Sequence, residues 1–340
     1  MSKGDPMPDV HRILGAEISP YSVKVRSYFR YKKIPHAWVP RDANAMPEFQ
    51  KHAKLPLIPL VITPAEQAIQ DSTPIVERLE AEHPEPSIHP KDATVAFLSA
   101  LIEEFGDEWG NKWMFHYRWA READQRSASQ RIAALMAPDA TEEQRAPIAA
   151  GIVERMVGRV WFVGSNAQTA PQIEASWKEG LAQLEAHLAD RSYLFGERPA
   201  FGDFGLWGQV YNAWSDPTGG AMVEQDAPHT LAWVKRMLEP EALGEFETWA
   251  ELAPTLTPFL ARQVGARFLP WSDANARAIA GGQDEFTVEL DGQTWHQKPQ
   301  KYHARSLAAL REKYAAAAGN AELDEVLETT GCRRWLLPGN

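Results

Sequence analysis

At 340 residues, 44% hydrophobic and 24% charged, the chain has an ordinary globular composition, long enough for two or three domains and a sizeable core. Its net charge of −11 and the lack of basic patches exclude nucleic acid and anionic membrane as partners. No apolar run approaches the roughly 20 residues of a membrane span. The first residues carry no apolar secretion segment, and the single Cys332 excludes an intrachain disulfide and a cysteine-cluster metal site, so a reducing, cytoplasmic setting is expected.

In chain order, residues 10–14 have the β-branched, mostly apolar look of a short buried strand, and Tyr21, Val25, Tyr28 and Phe29 then recur at helical spacing. The loop between them, Ser19-Pro20-Tyr21-Ser22, sets small hydroxyls at a helix N-terminus. Free N–H groups and the positive end of the macrodipole there favour an anion, whether phosphate, carboxylate or thiolate. Residues 35–40 read as a second strand, and residues 55–62 and 68–70 as a hairpin entered through proline. Pro59 cannot donate to a ladder, so it takes the first strand position or an edge, where a cis Ile58–Pro59 bond is tolerable. Asp71-Ser72-Thr73-Pro74 starts a helix, with Ser72 as N-cap and Ile75, Val76 and Leu79 facing inward.

This β-α-β-(α)-β-β-α order resembles the thioredoxin-like α/β N-terminal domain of the glutathione S-transferase superfamily, in a serine-type, bacterial-like form. Ser19-Pro20-Tyr21-Ser22 falls where serine-type members keep their Ser-Pro triplet. Ile58–Pro59 falls at the family's cis-proline, whose preceding residue pairs its backbone with the cysteinyl backbone of glutathione. Asp71–Ser72 falls at the acid–serine pair that holds the γ-glutamyl carboxylate. Lys54 precedes the proline loop and could meet the glycyl carboxylate, with solvated surface charge as its alternative role.

A proline-rich linker at 82–87 closes this region. From Ala93 onward Phe97, Leu98, Leu101, Ile102 and Phe105 repeat at three-four spacing, and further helical segments run at about 141–162, 171–190, 203–215 and 228–238, similar to the family's all-α C-terminal domain. The expected domains are 8–83 (thioredoxin-like, glutathione-binding), 91–268 (all-helical) and 269–340, an extension that most family members lack. Ala200 stands where the family keeps a Ser or Thr to form a capping box with Asp203, so one hydroxyl bond is missing. In the extension, Asp291-Gly292 joins strands 286–290 and 293–297 as a hairpin, and two helices follow. The extension is expected to fold back onto the helical domain or the cleft.

A free thiol has a pKa near 8.5, so an enzyme that uses its thiolate gains by lowering it; two units need about 2.7 kcal/mol. One hydroxyl hydrogen bond to the anion supplies roughly 1.5–3 kcal/mol of this, and a helix N-terminus adds some tenths to one. The resemblance makes Ser19 the first choice of donor, with Ser22 and Tyr21 as alternatives and Ser22 read as the helix cap. It also implies glutathione as co-substrate, a small electrophile as partner, a transferase activity, and a homodimer. Trp109, Trp113, His116 and Tyr117 share a helix face and read as a wall of the electrophile pocket, against the alternative of core. No metal-ligand motif is present, so no metal is expected. The rival reading is a non-catalytic binding or scaffolding protein of the same fold, kept open by Ala200 and the long extension.

Overall fold

The computed structural model describes residues 10–337. β1 (His11–Gly15) lies parallel to β2 (His36–Pro40) and antiparallel to β3 (Leu60–Ile62), with β4 (Ala68–Gln70) beyond β3, in the order β2-β1-β3-β4. Side chains alternate across the sheet. Ile13, Val61 and Ile69 face a core shared with α1 (Pro20–Tyr31) and α3 (Ser72–Glu82), whereas Leu14, Leu60 and Ile62 pack on Phe49 of α2 (Met46–His52). The hairpin strand is shorter than residues 55–62, because Pro56 and Pro59 have no N–H to offer a ladder. The Ile58–Pro59 bond is cis.

Two caps differ from expectation. Pro20 occupies the first turn of α1, so the extended residue before it, Ser19, is the N-cap, and its Oγ accepts the Ser22 N–H at 3.3 Å. At α3 the cap position is Asp71 and Ser72 is the first helical residue.

The helices that follow are α4 (Ala93–Phe105), a π-helical turn Gly106–Gly110, α5 (Asn111–Ala120), α6 (Glu122–Met136), α7 (Glu142–Val157), α8 (Ala170–His187), α9 (Phe201–Trp214), α10 (Pro217–Asp226) and α11 (Pro228–Arg236). α9 is buried along nearly its whole length, between α4 and α1. Two glycines let it approach: a Cβ on Gly106 would meet the Leu206 amide nitrogen at 2.6 Å, and one on Gly208 would meet the Pro20 carbonyl oxygen at 2.6 Å. Ala200 offers no side-chain acceptor, but Asp203 takes N–H groups from Ala200, Leu194 and the Trp233 indole at 2.8–2.9 Å. α6 and α10 were not predicted. Of the fifteen residues of α6 only Asp124, Ala128, Ser129 and Ala133 are buried, so it carries no apolar stripe to read.

α12 (Trp249–Phe259) continues through a π-helical stretch, Leu260–Phe268, into α13 (Leu269–Ala280), so the expected boundary at 269 falls within one helical run. β5 (Phe286–Leu290) and β6 (Gln293–Gln297) form the expected hairpin around Asp291-Gly292, followed by α14 (His303–Ala316), α15 (Ala321–Thr329) and α16 (Arg333–Leu336). The hairpin's fully buried Trp295 packs 5.4 Å from Trp109, beside Trp271 of α13. α14 lies along α4, with Tyr314 on Phe97 and Lys313 paired to Glu77 of α3 at 2.8 Å. One hydrophobic core thus runs from Ile13 to Leu336.

No helix among the described residues is long and apolar enough to cross a membrane. Cleavage at the exposed turn 281–285 is expected to leave the C-terminal piece bound through native gel filtration. Trp295→Ala, expected to cost about 3–5 kcal/mol in urea unfolding, should release it after the same nick.

Candidate functional site

The N-terminus of α1 separates the three candidate hydroxyls. Ser19 is half-buried; its oxygen accepts the Ser22 N–H, which leaves its own proton to donate. Ser22 is fully buried with an unpaired Oγ, turned toward Gly15 and Trp38, where a Cβ on Gly15 would meet it at 2.9 Å. The Tyr21 hydroxyl donates to the Asp107 carbonyl at 3.0 Å, and burial pushes its pKa well above the ordinary value. Only Ser19 keeps a hydroxyl uncommitted on an accessible side chain.

The loop before the cis-proline is braced by a residue that sequence reasoning missed. Gln70 Oε1 accepts the N–H groups of Lys54 and Leu55 at 2.7 and 3.1 Å, and its Nε2 donates to the carbonyls of Leu55 and Leu57 at 2.9 and 3.0 Å. Ile58 is half-buried and Pro59 buried, while the Lys54 side chain is exposed. At the start of α3, Ser72 is buried and Asp71, at φ 78°, leaves its carboxylate without a bond to its own helix. That carboxylate instead accepts the hydroxyl of Tyr302, from the extension.

Between α1 and α4 lies a buried ionic cluster that was also missed. Lys24 Nζ meets Glu103 Oε1 at 2.5 Å, Asp107 Oδ2 at 2.7 Å and Thr73 Oγ1 at 3.1 Å. Burial works against its charge, but Asp107 and Glu103 outweigh burial and hold the ammonium above its usual pKa. A single cation cannot serve every acid here. Burial, aided by Glu103, pushes the Glu104 carboxyl up to about 8, and burial pushes Asp107 up to about 7 against the pull of Lys24. The signal in the sequence was a lysine and paired acids set in otherwise apolar helical runs. The extension meets the same row of acids: Ser306 donates to Glu104, and His303 lies against Glu108.

The aromatic face expected to wall the electrophile pocket is buried at all four positions, Trp109, Trp113, His116 and Tyr117. The indole N–H groups of Trp109 and Trp113 both donate to Ser176 Oγ, at 2.9 and 2.8 Å. His116 bridges Ser165 at 2.8 Å and Glu174 at 3.2 Å, and burial lowers its pKa. Lys112, on the same helix, is sealed beneath the extension with its Nζ 3.5 Å from the Trp271 ring centre, and burial lowers its pKa well below the ordinary value. No group of three or more His, Cys, Asp or Glu side chains able to hold a metal occurs among the described residues.

Two family models match the sequence: glutathione S-transferase, N-terminal domain, over residues 13–87, and glutathione S-transferase, C-terminal domain, over residues 142–236, together half of the chain. No curated protein matches it. Among solved structures it is similar to a glutathione S-transferase from Methylobacterium radiotolerans in complex with glutathione sulfonate, at 20% identity over 72% of this chain and 93% of that chain, TM-score 0.39. A glutathione S-transferase from Methylobacillus flagellatus with glutathione bound matches at 20% identity over 67% and 95%, TM-score 0.37. A GST-like protein from Pseudomonas syringae matches at 16% identity over 68% and 67%, TM-score 0.45.

Lys24→Met strands two buried carboxylates and is expected to lower stability by about 3–5 kcal/mol in urea unfolding. Glu104 sets a pH dependence. Its pKa rises from 4.5 to about 8 on folding, so the folded state binds the extra proton between these values and stability falls as pH rises across that window. Unfolding free energies at pH 5 and pH 8.5 should differ less in Glu104→Gln than in the wild type.

Proposed function

The chain belongs to the glutathione S-transferase family, and from that premise we propose that it is a glutathione transferase that collects glutathione as its thiolate and directs it at a small electrophile. The observation that carries this reading is Ser19: a helix N-cap whose oxygen is used by the backbone and whose proton is free, beside two other hydroxyls that are committed or buried. In this proposal the γ-glutamyl end lies at the N-terminus of α3 by Asp71 and Ser72, the cysteinyl backbone pairs with Ile58 ahead of Pro59, and Lys54 meets the glycyl carboxylate. The thiol gives its proton to solvent, and the Ser19 O–H and the N-terminus of α1 stabilise the sulfur anion. The sulfur lone pair then forms a bond to the electrophilic carbon while the leaving group departs with its electron pair.

The domain division at 8–83, 91–268 and 269–340, whose last boundary lies within the helical run 249–280 and whose residues 8 and 9 lie outside the described residues, belongs to the same proposal, with the cytoplasmic location and the homodimer. In either state α14 and α15 cover α4, where Asn320 donates to Thr94 at 3.0 Å. A second reading, a non-catalytic binding or scaffolding protein, is favoured by one observation: Trp109, Trp113, His116 and Tyr117, expected to wall an electrophile pocket, are all buried.

Calorimetric titration of glutathione in two buffers of different ionisation enthalpy is expected to show binding with proton release near pH 7. Ser19→Ala should lower turnover of model electrophiles by roughly 10- to 100-fold, the worth of one hydrogen bond to an anion, with glutathione affinity within about twofold. Glutathione binding without turnover of any electrophile would select the second reading, and no binding at millimolar glutathione would remove the glutathione reading.

A further inference from the structure

The Asp71 carboxylate has an unusual set of surroundings. It makes no bond to the helix it precedes, its backbone sits at φ 78°, and its one side-chain hydrogen bond among the described residues comes from Tyr302, 231 residues away in sequence. Tyr302 is half exposed, yet its position is set from both sides. Before it, the Gln300 backbone is clamped by Asn275 of α13, with Gln300 N–H donating to Oδ1 at 2.7 Å and Nδ2 donating to the Gln300 carbonyl at 3.0 Å. After it, the His303 ring packs 5.1 Å from Trp271 and lies against Glu108, and Ser306 donates to Glu104. The segment is therefore held to α13 and to the acidic row of α4 and the π-helical turn, and Tyr302 reaches from it to the start of α3.

A carboxylate accepts at two oxygens, and Tyr302 uses Oδ2. Oδ1 is left for a cationic donor. An amino-acid end group such as the γ-glutamyl of glutathione carries a carboxylate and an ammonium side by side, so a fixed carboxylate next to a helix N-terminus matches both charges.

We infer that Tyr302, supplied by the extension, is a positioning residue of the glutathione site: its hydroxyl holds the Asp71 carboxylate where that carboxylate receives the γ-glutamyl ammonium. This rests on the glutathione reading above. The physical gain is preorganisation, because an anchored acid loses less rotamer freedom when the ligand arrives. The extension is then part of the binding site.

The test compares full-length wild type with Tyr302→Phe, a change that removes one exposed oxygen and leaves the packing, in titrations with glutathione and with its des-amino analogue, in which glutaryl replaces γ-glutamyl. The expected result is that the wild type prefers glutathione, and that Tyr302→Phe binds glutathione about tenfold more weakly while its affinity for the analogue is unchanged. Asp71→Asn should lose the same preference, and adding Tyr302→Phe to it should cost nothing further. Equal weakening toward both ligands would assign Tyr302 a structural role and overturn the inference. Unchanged or tighter glutathione binding in Tyr302→Phe would overturn it too, the second outcome showing that the hydroxyl competes with the ammonium. A wild type that binds glutathione and its analogue equally well would overturn this inference alone, whereas a wild type that binds neither would overturn the glutathione reading as well.

Discussion

Lys24 has its side chain wholly removed from water, and an ammonium persists in such a place only where oxygen atoms replace its hydration shell. Those oxygens come from three different elements: Thr73 in α3, Glu103 in α4 and Asp107 in the π-helical turn. The charge is satisfied only when α1, α3 and α4 are docked together. That condition places the two helix N-termini of the candidate site relative to one another, because Ser19 begins the helix that carries Lys24 and Asp71 begins the helix that carries Thr73. Gly106 and Gly208 serve the same end, letting α9 close on the π-helical turn and on Pro20.

The acids next in sequence to those that hold Lys24 meet the extension. Glu104 and Glu108 turn toward Ser306 and His303, so a single helical stretch, from Ala93 to Gly110, presents acids to α1 on one side and to the C-terminal segment on the other. The hairpin adds an apolar seal. Trp109, Trp271 and Trp295 close around the buried Lys112 amine, whose Nζ also donates to the Val163 carbonyl at 3.3 Å. This is why the helix face that read as a pocket wall is interior: Trp109, Trp113 and His116 find polar partners in Ser176 and Glu174 of α8 and in Ser165, and residues 269–297 cover Trp109.

Local patterning made the sheet, α1, α3 and the hairpin legible. Alternating apolar residues, proline positions and the Asp291-Gly292 turn are short-range signals, and each reflects a backbone constraint that holds before tertiary contacts form. Caps were misplaced by one to three residues, because a serine before proline and a serine two residues after that proline are equal candidates until helix phase is known. α6 escaped because its buried positions are Asp124, Ala128, Ser129 and Ala133, which no hydropathy pattern distinguishes from a solvated face. The long-range features escaped for a different reason. Lys24 with Glu103, Gln70 with residues 54–57, and Tyr302 with Asp71 are pairings of ordinary polar residues whose meaning lies in who meets whom.

The same acids also decide how much charge the helix interface carries. Glu103, Glu104 and Asp107 together would place three negative charges in the helix interior with Lys24 as the buried cation among them. Burial prevents that accumulation: Asp107 and Glu104 are pushed up to about 7 and about 8, so near neutral pH much of their charge is held back as bound protons, while Lys24 balances Glu103. The cluster is then less negative than its carboxylates suggest. Each proton lost from Glu104 or Asp107 adds a negative charge to the same buried cluster that docks α1, α3 and α4.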